Sequence, residues 1–161
     1  MAVYTTASHT WAVGETVTAA NMNSQVRDLV NAFGGYTSYT PTWTSTGTAP
    51  ALGNGTLTGS YSQIGKRVFF QLNLNAGSTT TFGTGSYIFS LPVSITGGLC
   101  TSSVFTHAGS VYLGEANVNT GSTFTILTQP AAGASAFMGA TSPATWASGD
   151  SLIVVGTCQS V

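Results

Sequence analysis

The chain has 161 residues, of which 42% are hydrophobic and only 4% charged, and its formal net charge is −1. This length predicts one domain with a small additional segment, and the hydrophobic content excludes a disordered chain. The scarcity of basic residues excludes the electrostatic surface of a nucleic-acid-binding protein. Because a near-neutral surface promotes association, we expect the chain to function inside an assembly.

The first ten residues, MAVYTTASHT, carry neither the basic region nor the apolar region of a signal peptide. The longest purely aliphatic run, at residues 152–155, is too short to span a bilayer. We therefore expect no membrane insertion.

Residues 15–35 (ETVTAANMNSQVRDLVNAFGG) predict a short helix. Thr18 suits the N-cap, and Gly34 suits a left-handed C-cap. This helix could pack on the protein's own sheet, as amphipathic helices usually do. Because it is short and no second helix follows, we predict instead that copies of it associate around a symmetry axis. The seam would consist of four apolar residues spaced by four, three and four positions: Met22, Val26, Leu29 and Phe33.

From Tyr36 onward the hydrophobic pattern has a period of two, which is typical of strands. In RVFFQLNLN, for example, one face carries Val68, Phe70, Leu72 and Leu74. About eight such runs, separated by Gly, Asn, Ser and Pro, predict an antiparallel β-sandwich of jelly-roll type. We therefore divide the chain into an N-terminal arm and helix (1–35) and a β-sandwich domain (36–161).

Two of the three basic residues, Lys66 and Arg67, are adjacent and lie between two alternating runs. They are either a docking site or the exposed tip of a hairpin. Gly65 precedes them, and a charged turn also protects strand edges from aggregation. We interpret the pair as a hairpin tip.

The few ionisable residues do not form a recognisable catalytic or metal motif, so we predict a protein without enzymatic activity or cofactor. Glu115 and Asp150 could in principle act as a glycosidase pair, but no local motif brings them together. His107 and Asp150 could join a serine in a triad, but the chain has no nucleophile elbow. His107 is most simply a histidine at the end of a strand.

The large aromatic residues have two interpretations. Tyr39, Trp43 and Trp146 could stack on the apolar faces of sugar rings, which makes a cell-surface glycan a candidate partner. Aromatic residues also dominate packing in cores and interfaces, and we favour that reading for Trp43 and Trp146. Cys100 and Cys158, 58 residues apart, are either buried free thiols, which we favour, or a disulfide.

The stretch TWAVGETVTAANMNSQVRDLVNAF resembles the N-terminal part of small virion proteins of tailed bacteriophages. The following β-region and the closing stretch PATWASGDSLIVVGTC are similar to the same group, so the resemblance covers nearly the whole chain. Members are known as minor tail proteins, tail or head fibres and capsid decoration proteins. The residues that match the N-terminal motif are Trp11, Gly14, Glu15, Thr18, Ala19, Ala20, Asn23, Arg27 and Asp28.

This resemblance implies a structural protein on the exterior of the virion, assembled in the host cytoplasm and commonly a homotrimer. The N-terminal part would bind phage capsid or tail proteins, which gives anchoring roles to Trp11, Gly14, Glu15, Arg27 and Asp28. Two functional classes stay open: an architectural trimer that decorates the capsid or tail, and a fibre head that recognises host glycans. The short chain, which has no room for a fibre shaft, favours the architectural role.

Overall fold

The structure is a computed structural model that describes residues 12–27, 35–131 and 134–161. In this part of the chain a short helical segment precedes ten β-strands. The helical segment consists of α1 (Ala19–Met22) and a π-helical turn (Asn23–Arg27). The strands are β1 (Thr37–Tyr39), β2 (Trp43–Ser45), β3 (Thr56–Ile64), β4 (Arg67–Asn75), β5 (Tyr87–Ser90), β6 (Ile95–His107), β7 (Ser110–Thr120), β8 (Thr123–Ala131), β9 (Ala134–Phe137) and β10 (Ser151–Ser160).

All ten strands belong to one antiparallel sheet. Its path runs β1-β3-β4-β10-β6-β7-β8-β5-β2, and β9 pairs with β8. β1 and β2 are the two ends of this path, yet only residues 40–42 separate them in the chain. That connection spans at most about 14 Å, whereas nine strands laid flat would extend about 38 Å. The sheet therefore curls back on itself, which confirms the predicted antiparallel sandwich.

The strand count differs from the predicted eight at two places. The stretch YTSYTPTWTS alternates through Tyr39, Pro41 and Trp43 and is one of the eight runs predicted from the sequence. In the structure it divides into β1 and β2, because proline has no N–H to donate to a sheet ladder. After Pro41 the chain crosses to the opposite edge of the sheet, where Trp43 pairs with Phe89. The other addition is β9, which follows β8 and pairs with it through Leu127 and Phe137.

The hydrophobic core lies inside the curled sheet. The inward residues of β4 are those that the alternating pattern predicts: Val68, Phe70, Leu72 and Leu74, each at most 3% exposed. β5 contributes Tyr87 and Phe89, and β10 contributes Leu152 and Val154. Each fully buried large apolar side chain stabilises the fold by about 1.5–3 kcal/mol relative to an exposed one.

Two polar loops at one end of the sandwich, residues 46–55 and 76–86, contain no charged residue. Ala51 and Thr81 exchange two backbone hydrogen bonds of 2.9 Å. The Asn54 Oδ1 accepts hydrogen bonds of 2.9 Å from both the backbone N–H and the hydroxyl of Thr79. Asn and Thr side chains thus perform locally the bonding that ion pairs supply in more highly charged proteins.

Candidate functional site

The N-terminal segment, to which the sequence analysis assigns attachment, is shaped by local hydrogen bonds. The Glu15 amide donates to the Ala12 carbonyl at 3.1 Å, and the Ala12 amide donates to the Glu15 carboxylate at 3.0 Å. Gly14 lies in the turn between them with a φ of +83°, a conformation that favours glycine. The matched Gly-Glu pair therefore forms a compact turn just before the helix.

Thr18 is the N-cap of α1, as predicted. Its backbone is extended, and its hydroxyl accepts a hydrogen bond of 3.1 Å from the Asn21 amide. The helix continues through the π-helical turn, which ends at the exposed Arg27. π-Helical turns are rare and frequently occur at functional sites. The predicted C-cap at Gly34 and the anchoring residues Trp11 and Asp28 lie outside the described residues.

The described half of the predicted apolar seam is not buried. Met22 and Val26 are each 45% exposed, and α1 contains no buried residue. Leu29 and Phe33, the other half of the seam, lie outside the described residues. At its two described positions the seam is thus accessible to a partner.

The basic pair lies at the tip of the β3–β4 hairpin, which confirms the interpretation from sequence. Gly65 and Lys66 form a two-residue turn, with a φ of +57° at Gly65. The Lys66 carbonyl accepts from the Ser160 amide at 2.9 Å, which ties the turn to the end of β10. The side chains of Lys66 and Arg67 are exposed.

The two tryptophans considered for glycan stacking are in the core. Trp43 is 8% and Trp146 is 4% exposed. Trp43 stacks parallel to Phe89 and meets Tyr87 edge-on, with ring centroids 6.5 and 5.1 Å apart, respectively. The Trp146 ring lies 4.3 Å from that of Phe105. Neither indole presents a free face to a ligand in this structure, because other aromatic rings cover it.

Tyr39, the third candidate for glycan contact, packs against β3 at the β1 edge of the sheet. Its ring packs edge-on against Tyr61 at 6.0 Å and lies over Gly59, where a β-carbon would collide with it. Burial raises the pKa of Tyr39, and the nearby Cys158 thiol raises it further.

The Cys158 thiol is itself free and buried, and burial raises its pKa while Arg67 opposes that shift. The side chain of Cys100 lies outside the described residues.

His107 and Asp150, 43 residues apart in sequence, meet at one end of the sandwich. The imidazole Nδ1 lies 2.9 and 3.1 Å from the two Asp150 carboxylate oxygens. The same carboxylate accepts a hydrogen bond of 2.7 Å from the Ala147 amide. The pair therefore fastens the end of β6 to the loop that precedes β10. Among the described residues, no serine hydroxyl is hydrogen-bonded to this imidazole.

Glu115 lies away from Asp150. It is exposed on β7, five residues beyond Ser110, which pairs with His107. Five residues of strand correspond to about 17 Å, so the two carboxylates do not form a glycosidase pair in this structure.

In the described part of the chain no three His, Cys, Asp or Glu residues cluster as metal ligands. No helix in that part is long and apolar enough to cross a membrane.

The chain matches no protein-family model and no curated protein sequence. Among solved structures it is similar to the crystal structure of the Dettilon tailspike protein (gp208), with a TM-score of 0.52 and 19% sequence identity. The likeness covers 78% of this chain but only 23% of the tailspike chain. This chain thus spans less than a quarter of that protein, and at this identity the likeness shows the fold.

The structure also exposes an apolar sheet surface that the sequence analysis does not identify. Ile153 and Val155 of β10 are exposed, while Leu152 and Val154 of the same strand are buried. A signal for this was present, because four consecutive aliphatic residues interrupt the alternation and make both faces of the strand apolar.

Proposed function

We propose that the chain is a non-enzymatic structural protein of a tailed-bacteriophage virion, a homotrimeric capsid decoration or minor tail or fibre protein displayed on the particle exterior. The observation that carries this proposal is the likeness in fold to part of a tailspike protein, over 78% of the chain. The N-terminal motif that resembles phage virion proteins supports it independently.

In this proposal the two parts of the chain have separate roles. The N-terminal segment attaches the protein to capsid or tail proteins and brings three copies together through the seam. The exposure of Met22 and Val26 supports this role, because apolar side chains on a short helix need a partner to be stable in water. The β-domain has its own core and would face outward.

Recognition of host glycans is the alternative role. Trp43 and Trp146 give it no support, because both rings are covered by the core. Tyr39 gives little, because its hydroxyl is buried and its ring packs on Tyr61 and Gly59. The architectural role is therefore the one we propose.

The test is a chain that begins at Tyr36. It retains all ten strands, so we expect it to fold, as judged by circular dichroism and a cooperative thermal transition. We expect it to fail to bind particles that lack the native protein, whereas the full-length chain binds them. Equal binding by both forms would show that attachment does not depend on the N-terminal segment.

A further inference from the structure

Six large apolar side chains are exposed on the outside of the curled sheet, on β4, β10, β7 and β9. We refer to them as the outer apolar face: Phe69, Val111, Leu113, Phe137, Ile153 and Val155. Their exposed fractions range from 39% at Phe69 to 68% at Leu113. On a monomeric protein, contiguous apolar patches of this kind usually mark an interaction site.

The register of the sheet places several of these residues side by side. Ile153 of β10 pairs with Val104 of β6, and Val104 pairs with Leu113 of β7. Because neighbouring strands lie about 4.8 Å apart, these three side chains form one continuous apolar row. Beyond β7, Phe137 of β9 pairs with Leu127 of β8 and extends the surface in that direction.

Two grooves run along this surface. One, of about 400 Å³, includes Tyr36, Phe69 and Val155 in its lining. The other, of about 490 Å³, includes Leu113, Glu115 and Leu127. Both grooves are also lined by Thr101 and Ser102, so they adjoin each other. The surface thus offers ridges and grooves that can interdigitate with a second surface.

We propose that the outer apolar face is an interface with a second copy of this chain. A surface that packs against its own copy must not place like charges together, and the linings of both grooves contain a single ionisable carboxylate, Glu115. Their polar members are mainly Thr, Ser and Gln, which both donate and accept hydrogen bonds and so can pair with themselves. A charged partner would gain little from such a surface.

The area of the outer apolar face is also sufficient for a stable interface between two copies. With full side-chain areas of about 150–250 Å², the exposed fractions amount to roughly 500 Å² of apolar side chain per copy. A stable interface buries about 800 Å² per partner including its polar rim. The surrounding Thr, Ser and Gln side chains can supply the difference.

The position of Tyr36 connects this face to the N-terminal segment. Tyr36 directly precedes β1 and lines the same groove as Phe69 and Val155. The chain therefore enters the β-domain beside the outer apolar face, so copies joined through their helices would have these faces close together. The inference goes beyond the proposed helical seam and does not depend on it.

The test compares two Val→Asp substitutions in the full-length chain, one within β10 and one just after its end. Val155 belongs to the face, whereas Val161 is 71% exposed and lies six residues further on, about 20 Å away. Sedimentation equilibrium should show that Val155→Asp raises the dissociation constant of the oligomer at least tenfold. Val161→Asp should leave it within about twofold. Leu113→Asp, on another strand, should reproduce the effect of Val155→Asp, and unchanged thermal midpoints would show that all variants fold.

Three results would overturn the inference. The first is an unchanged dissociation constant in folded Val155→Asp and Leu113→Asp. The second is an equal loss in Val161→Asp, which would indicate a general effect of charge. The third is a monomeric wild-type chain whose particle binding falls in Val155→Asp, because the occupant would then be a particle protein.

Leu29→Asp separates this interface from the proposed seam. If Leu29→Asp dissociates the oligomer while Val155→Asp and Leu113→Asp do not, the seam stands and the face proposal fails. If the face variants dissociate it while Leu29→Asp does not, the face proposal stands and the seam fails.

Discussion

The N-terminal segment and the β-domain differ in whether their apolar side chains are buried or exposed. Among its described residues, the β-domain buries eighteen apolar residues in one core cluster, and the partly buried apolar side chains that pack against this cluster also belong to the β-domain. α1 has no buried residue, and the apolar Met22 and Val26 are exposed. A helix of this length is marginal in water. From this difference we expect the β-domain to fold alone and the N-terminal helix to need a partner.

The largest effect should come from charging the seam. Leu29→Asp would place a carboxylate in the apolar centre of a trimer, at a cost of about 6 kcal/mol summed over three copies. We expect the assembly to dissociate, as measured by light scattering. Asn23→Asp, which adds the same charge at an exposed position outside the seam, is the matched control and should stay assembled. An assembly that stays intact in Leu29→Asp would show that the seam does not hold the copies together.

A core substitution tests whether the stability of the β-domain comes from its own core. Phe89→Ala should lower the free energy of unfolding of the β-domain by about 3–5 kcal/mol, because it leaves a cavity between Trp43 and Phe124. Val26→Ala should leave the same free energy within about 0.5 kcal/mol. Urea titration, followed by the fluorescence of the buried tryptophans, measures both. A comparable loss in Val26→Ala would mean that the helix packs on the β-domain.

Alkaline pH should weaken the β-domain through its buried tyrosines. Burial raises the pKa of Tyr39 and of Tyr87. Above the unfolded value of about 10, the unfolded chain therefore loses these protons while the folded chain keeps them. Stability is fully present below pH 10 and should fall above it, by up to about 1.4 kcal/mol per pH unit for each tyrosine.

The matched variants are Tyr39→Phe and Tyr87→Phe, which should each flatten this dependence. Tyr87→Phe should also cost about 1 kcal/mol at neutral pH, because the Tyr87 hydroxyl donates a 2.9 Å hydrogen bond to the Phe82 carbonyl. Tyr39→Phe should cost little, since that hydroxyl has no hydrogen-bond partner among the described residues. The same slope in the wild type and in the double variant would contradict this assignment.

The smallest effect should come from the hairpin tip. Replacing Lys66 and Arg67 with Ser should change the free energy of unfolding by no more than about 0.5 kcal/mol, the usual range for surface sites. Particle binding should be unchanged. If the pair docked on an acidic surface, each charge-assisted bond would be worth about 1.5–3 kcal/mol, and binding would fall at least tenfold. Raised salt would then have the same effect on the wild type.

The sequence predicts those features that depend on local patterns. Alternation locates the buried face of β4, the hydroxyl of Thr18 caps the helix, and Gly65 marks the hairpin tip. Features that depend on the global path of the chain are harder to predict. β1 and β2 read as one run, because nothing local shows that Pro41 carries the chain from one edge of the sheet to the other.

The candidate surfaces follow the same rule. The seam is visible in the sequence as a spacing of apolar residues. The His107–Asp150 pair is not, because the two residues are 43 positions apart in the chain, with β7–β9 and their loops between them. The outer apolar face is visible only in part: the run at 152–155 suggests two apolar faces, but its alignment with Leu113 depends on the order β10-β6-β7.

The central claim is that this chain works as an assembly whose copies meet through surfaces that a single chain leaves exposed. Its most direct test is the mass of the full-length protein in solution at micromolar concentration, measured by light scattering. The account predicts three times the 16.4 kDa of one chain. A stable species with the mass of one chain would contradict it.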